Sequence, residues 1–251
     1  VMDYCVVRYG GRSHIGSTCT GLSNNPMVDV IGSSPTLSHC TFYKSKIQAL
    51  SFTSGSTATV SNSAITASGS YAAIQSLDSS PTFQSLTVTG NVGNGIQIDG
   101  GTLSASNTWR NMGLPFILTD DVSVGSGVTL TIDSGCVVKF YGNGCTASAG
   151  LFIDGTLNAI GTAGTPIVFT SYYDDAFDAA GDTNGDGSAT LPGPGNWERI
   201  RFSALSTGSV MDYCVVRYGG RSHIGSTCTG LSNNPMVDVI GSSPTLSHCT
   251  F

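Results

Sequence analysis

SPTFQSLTV, residues 80–88, carries the pattern that decides the fold. Phe83 is followed three residues later by Leu86 and two after that by Val88. TATVSNSAI (57–65) places Val60, Ser63 and Ile65 the same way, and PTLSHCTF (35–42) places Leu37, Cys40 and Phe42 so. The anchors Leu37, Val60 and Phe83 are separated by 23 and 23 residues. GTLSASNTW (101–109) carries related text, and Met2, Cys5 and Val7 fit the same slots, which puts Cys5 and Cys40 in equivalent positions. Similar positions recurring at a short fixed period are expected when each coil of chain stacks on the one before.

Around these anchors the apolar residues alternate with period two, as in IQID (96–99), TLTI (129–132), CVVKF (136–140), LFID (151–154) and PIVF (166–169). Such runs, rich in β-branched and aromatic residues and bounded by Gly, Asn, Asp, Ser and Pro, read as short strands. No stretch carries sustained helical periodicity, which argues against helix-crossover α/β folds. The expected fold is therefore all-β: a parallel β-solenoid with coils stacked at roughly 4.8 Å, about eight to a unit, giving a rise of roughly 40 Å. Three irregular stretches interrupt it, residues 10–25, 111–127 and 172–196; the first and third read as excursions from the wall.

A longer period lies over the short one. Residues 1–42 and 210–251 are identical, an offset of 209. The domain reading follows: residues 1–209 are one complete tandem unit and residues 210–251 the start of the next. Complete identity points to a recent or homogenised array, since drifting copies would differ at surface positions, where substitutions cost little. The sequence opens on Val1 with no initiator Met and no export signal, so it reads as a window on a longer polymer.

Only 10% of residues are charged, Gly numbers 33 and the net charge is −6. Charged surface helices are not expected from such text, and 39% hydrophobic residues still supply a core. The absence of a basic tract excludes a phosphate-binding footprint, so no nucleic-acid partner is expected. Nor does any apolar run approach the length of a membrane-spanning helix.

Taken in order, GVTLTIDSGCVVKF (127–140), LFIDGTLNAIGTAGTPIVFTS (151–171), GDTNGDG (181–187), GNWERIRF (195–202) and VMDYCVVRYGG (210–220) resemble a module of bacterial secreted and surface proteins. That family has right-handed parallel β-helix repeats of pectate-lyase-like architecture. The resemblance implies a right-handed solenoid in an exported, multi-repeat protein. It implies no activity that transfers residue by residue.

Three groups of residues invite chemistry. Asp174, Asp175, Asp178, Asp182 and Asp186 crowd into 13 residues, and Asp182, Asn184, Asp186 and Gly187 form D-x-N-x-D-G, the opening of a calcium loop. Position 12 of that loop is Gly193 and not the bidentate acid of an EF-hand, so Ca2+ would need Asp174, Asp175 or Asp178 and backbone carbonyls to complete its shell. Five cysteines per unit, Cys5, Cys19, Cys40, Cys136 and Cys145, leave one odd thiol and lean toward an oxidising compartment. Cys136 and Cys145 bracket a turn that a disulfide could close; Cys5 and Cys40 stack as core thiols, with Cys19 within reach of either. His14, His39, Asp29 and Arg8 carry no nucleophile motif and read as ordinary surface and solenoid residues, and Trp109 and Trp197 as core plugs.

The favoured function is a non-catalytic structural segment of an extracellular or cell-surface fibre or stalk, its partners being identical units end to end. An adhesin binding surface glycans or another cell is the alternative, and a calcium-dependent polysaccharide lyase or hydrolase the third reading.

Overall fold

The computed structural model describes residues 1–14, 22–142, 148–177, 181–222 and 232–251. Contacts divide the chain into two compact units, Val1–Gln97 with Asp182–Gly187, and Ile98–Gly181 with Ser188–Phe251. Neither boundary falls at the 209/210 join of the sequence period.

In the first unit the chain repeats three short strands per coil. The first coil is β1 (Met2–Asp3), β2 (Val6–Arg8), a hairpin excursion of β3 (Arg12–His14) with β4 (Leu22–Asn24), and β5 (Val28–Ile31). Then come β6 (Thr36–Ser38), β7 (Thr41–Tyr43) and β8 (Leu50–Thr53), followed by β9 (Thr59–Ser61), β10 (Ala64–Thr66) and β11 (Tyr71–Gln75). The last coil is β12 (Thr82–Gln84), β13 (Thr87–Thr89) and β14 (Gly93–Ile98). Pairing links equivalent strands of successive coils, β1-β6-β9-β12, β2-β7-β10-β13 and β5-β8-β11-β14. These pairs are parallel, with Leu37 beside Val60, Val60 beside Phe83 and Ile65 beside Val88. The 23-residue anchors are thus true neighbours, and Leu37, Val60, Phe83, Phe42 and Ile65 are buried.

Serine and asparagine serve the same period. Cys40 N donates to Ser63 Oγ at 3.0 Å, Ser56 N to Ser79 Oγ at 3.1 Å and Ser68 N to Asn91 Oδ1 at 2.9 Å, each across 23 residues. These bonds satisfy backbone donors at corners where the ladder is interrupted, a condition every buried N–H must meet. The corners are left-handed: Tyr4, His39, Asn62 and Ser85 all have φ between 48 and 53°. The first three donate their N–H to Ser38 O, Ser61 O and Gln84 O of the next coil. A second column, Tyr9, Lys44 and Ala67, does the same after β2, β7 and β10.

The second unit follows the same plan. Its strands are β15 (Gly101–Leu103), β16 (Asn107–Trp109), β17 (Phe116–Leu118), β18 (Val122–Val124), β19 (Thr129–Ile132) and β20 (Val137–Phe140). After them come β21 (Leu151–Ile153), β22 (Thr156–Ile160), β23 (Ile167–Ser171), β24 (Ile200–Phe202), β25 (Val210–Asp212) and β26 (Cys214–Val216). A short hairpin of β27 (Arg221–Ser222) with β28 (Ser232–Asn233) precedes β29 (Val237–Val239) and β30 (Thr245–Ser247). The parallel sheets are β15-β18-β21-β24-β29, β16-β19-β22-β25-β30 and β17-β20-β23-β26. Both tryptophans fill the core, Trp109 stacked on Phe116 and Trp197 on Phe140, with centroids 5.2 and 4.1 Å apart. Among the described residues of excursion 172–196, Asp175–Phe177 forms a 3₁₀ turn.

The repeated passage folds the same way at both places. Met2 pairs with Leu37 and Met211 with Leu246. His39 Nδ1 lies 3.0 Å from Asp3 and stacks on Tyr4; His248 Nδ1 lies 2.8 Å from Asp212 and stacks on Tyr213. Identical sequence gives identical local structure, with different neighbours on either side.

Candidate functional site

Among the described residues, polar and charged groups collect at four places. The first is the acidic loop. Asp182 Oδ1 accepts Gly185 N at 2.7 Å and Asp186 N at 3.2 Å, and Oδ2 accepts Gly187 N at 2.8 Å. The carboxylate therefore closes its own turn, as Asp side chains do. Asn184 Nδ2 donates to Asp186 Oδ2 at 3.1 Å. The loop seats on the first unit, where Asn94 donates through its N to Thr183 O and through Nδ2 to Asp182 O, both at 2.7 Å. Gly185 has φ 69° and a Cβ there would meet Asn91 O at 2.9 Å, so only glycine fits. The structure thus brings Asp182, Asn184 and Asp186 together. Asp175 stands on the 3₁₀ turn of the second unit, and Asp178 lies outside the described residues.

Asp174 belongs to a second, buried cluster that the sequence did not reveal. Its Oδ2 accepts Thr170 Oγ1 at 2.5 Å and faces Arg217 Nε at 3.6 Å, while Oδ1 accepts Ala176 N at 3.2 Å. Lys139, wholly buried, donates Nζ to Asp174 O at 2.8 Å. Arg217 lies over the rings of Phe177 and Tyr218 and donates to the Tyr218 hydroxyl. Both carboxylate oxygens are thereby engaged within the protein. Arg217 is Arg8 one period later, and Arg8 is exposed. The alternation in CVVKF and VMDYCVVRY marks these bases as strand residues, but only the fold sets them beside Asp174.

The third place is the outer face of the sheet holding β18, β21, β24 and β29, where Ser123, Phe152, Arg201 and Asp238 are successive neighbours. A depression of about 260 Å³ is lined by Ser123, Phe152, Ile153, Asp154, Arg201 and Ser203. Arg199 bridges Glu198 at 3.4 Å and Asp238 at 3.3 Å. Burial, then the charge of Asp121, pushes the Glu198 carboxyl up to about 7 against the pull of Arg199 and Arg201.

The fourth is the twice-built Ser–Asp–His–Tyr corner. Ser38 Oγ donates to Asp3 Oδ1 at 2.7 Å, and the same oxygen faces His39. Ser247, Asp212 and His248 repeat this. Hydrogen bonds from Ser38 and then His39 hold the Asp3 carboxyl below its usual range, and His248 leads for Asp212. Each serine donates to the acid and not to the histidine, so this geometry does not activate it as a nucleophile.

Cysteine chemistry is structural among the described residues: Cys5, Cys40, Cys136, Cys214 and Cys249 are free thiols, Cys136 without the bond that its spacing to Cys145 offered. Cys5 and Cys40 do sit in adjacent coils, Thr41 N donating to Cys5 O, but Cys40 Sγ points to Met2 O and Ser38 O. Cys136 Sγ faces Trp109 O at 3.4 Å, and burial, first of all, raises its thiol to about 12. Cys19 and Cys145 lie outside the described residues, as does the 15–21 tip of the first excursion.

Coils of three short parallel strands around a continuous apolar stack define a parallel β-solenoid. The family model for a right handed beta helix region matches residues 3–160, and the chain belongs to that family. Comparison with curated proteins and with solved structures finds no match. Among the described residues no helix is long and apolar enough to cross a membrane.

Proposed function

We propose that the chain is a non-catalytic structural segment of a tandem-repeat β-solenoid that forms a fibre or stalk outside the cell or on its surface. One observation carries the reading: the same 42 residues build the same coil twice, 209 residues apart, each time within a continuous parallel stack. A repeat whose start passage fits onto the end of the preceding unit can be added without a new interface, which is how solenoids lengthen. The test is electron microscopy of the full-length polypeptide. Filaments with a regular axial period set by one 209-residue unit support the proposal, and compact particles of fixed length sink it. Calcium enters the same proposal at the acidic loop, where Asn184 and Asp186 present oxygens on a turn that Asp182 holds. Thermal unfolding with and without millimolar calcium decides this, and an unmoved midpoint removes the cation.

Adhesion is the second reading, favoured by the depression around Phe152 and Arg201, which offers a ring face beside a guanidinium, two hydroxyls and Asp154. Sugars are held by such pairings of stacking surface and polar rim. A glycan array probed with the chain and with Arg201→Ala tests it; hits that survive the substitution place the binding elsewhere.

A further inference from the structure

We infer that the face formed by β29, β30 and Thr250–Phe251 is a seat for a chain segment with the sequence of residues 43–66, entering directly after Phe251. This rests on the tandem reading above and fixes which residues the next coil brings.

The identical passage supplies the argument. In the first copy, the coil of β5, β6 and β7 is covered by β8, β9 and β10: Val28 pairs with Leu50, Leu37 with Val60 and Phe42 with Ile65. There Val30 is 4% exposed, Leu37 1% and Phe42 0%; in the second copy their counterparts Val239, Leu246 and Phe251 are 42%, 39% and 58% exposed. Large apolar side chains with that much open area mark a contact surface.

Two hollows on this face would pass for ligand pockets if the first copy did not show their contents. One, about 300 Å³, is lined by Pro235, Met236, Val237, Val239, Leu246 and Phe251. The other, about 490 Å³, includes Tyr218, Gly219, Gly220, Asn234 and Met236. At the corresponding place in the first copy the chain 43–48 is present. Tyr9 N donates to Tyr43 O at 3.1 Å, Lys46 N to Gly10 O at 3.0 Å and Met27 N to Gln48 O at 3.2 Å. A Cβ on Gly11 would fall 2.7 Å from Ser45 Oγ, so the fit leaves no room there. The counterpart acceptor, Gly219 O, takes Gly195 N at 3.2 Å, and a carbonyl oxygen accepts a second bond.

The occupant is a continuation of the same chain and not a neighbouring copy. In any folded copy, residues 43–66 already pair on this side with its own β5, β6 and β7. In the first copy β7 runs from Thr41 through Tyr43, so the covering segment follows Phe42 without a break.

The cysteines report on the two faces separately. Cys40 is 1% exposed and Cys249 partly open, whereas Cys214 is 1% exposed and Cys5 partly open. Alkylation of each thiol is followed by mass spectrometry in three samples: the 251-residue chain, the chain extended by residues 43–66 after Phe251, and the 251-residue chain with a peptide of that sequence. A Leu50→Asp peptide is the control. Extension should slow Cys249 at least about tenfold, toward the rate of Cys40. The native peptide should slow it detectably, the control should not, and Cys5 should stay unchanged. Cys249 reacting at its original rate in both the extended and the peptide samples overturns the inference. So does protection of Cys249 and Cys5 together as the 251-residue chain is concentrated, which would make a second copy the occupant. Filaments without Cys249 protection refute the seat and spare the fibre; protection without filaments does the reverse.

Discussion

Leu37 and Leu246 are the same residue in the same 42-residue context, 1% and 39% exposed, so truncating each to alanine isolates the value of a covering coil. A fully buried leucine loses ~0.8 kcal/mol for each of the carbons removed, about 2.4 kcal/mol in all. Leu37 also leaves a cavity between Met2 and Val60, its neighbours on either side, which brings the cost to about 3 kcal/mol. At Leu246 about three-fifths of the transfer value is at stake and solvent fills the space, so about 1 to 1.5 kcal/mol is lost. The gap of roughly 1.5 to 2 kcal/mol is more than a tenfold difference in opening equilibrium. Solenoid ends open apart from their interiors, so hydrogen exchange read on peptides spanning 36–43 and 245–251 is the suitable assay. Leu37→Ala should raise exchange across β6 and both of its neighbours, and Leu246→Ala only in the last coil. Equal costs at the two leucines would refute the claim that coverage, and not local sequence, sets the stability of this passage.

Arg8 and Arg217 form a second matched pair: Arg217→Ala should destabilise the second unit by about 2 kcal/mol by leaving Asp174 short of its cation, and Arg8→Ala should stay within about 0.5 kcal/mol, both read by urea unfolding. Glu198 has a folded-state pKa raised to about 7 from 4.5, so its contribution is fully present below the lower value and declines as pH rises toward the upper one. The decline is at most about 1.4 kcal/mol per pH unit, and unfolding midpoints of Glu198→Gln should lose this dependence between those limits. Ala67, at φ 57°, pays the left-handed penalty that glycine escapes. Ala67→Gly should therefore stabilise by about 0.5 kcal/mol after the added entropy of the unfolded chain is subtracted, and a lower melting midpoint would show that the column is not strained.

The stacking order was legible because one physical constraint writes itself repeatedly into the text. Leu37, Val60 and Phe83 must fill one column, so their spacing records the coil length, and the structure pairs them in that register. Serines at the corners follow the same rule, since Ser63 and Ser79 each cap a backbone N–H 23 residues earlier. Corner residues were harder to see. Tyr4, His39, Asn62 and Ser85 share a left-handed backbone but no side-chain chemistry, and of these His39 and Asn62 belong to types enriched there while Tyr4 and Ser85 do not.

Chemistry was less legible than architecture because it depends on which coil meets which. Within the acidic run Asp182 closes its own turn, and Asp174 answers Lys139, Thr170 and Arg217, partners that no motif in the run announces. Residues 35 and 43 positions from Asp174 were brought to it. The cysteines follow the coil geometry too: stacking in adjacent coils aligns Cys5 with Cys40 along the wall as their equivalent slots imply, and Cys40 Sγ turns to carbonyls. The repeated passage separates the two influences. Its pairing, its His–Asp contact and its thiol orientation are the same at residues 1–42 and 210–251, so sequence dictates them. Arg8 and Arg217, Cys5 and Cys214, and Leu37 and Leu246 differ in burial, so the adjoining coil dictates that. In a solenoid of identical repeats a residue's role therefore follows from the coil above and the coil below it, and the same side chain serves as surface, core or clamp.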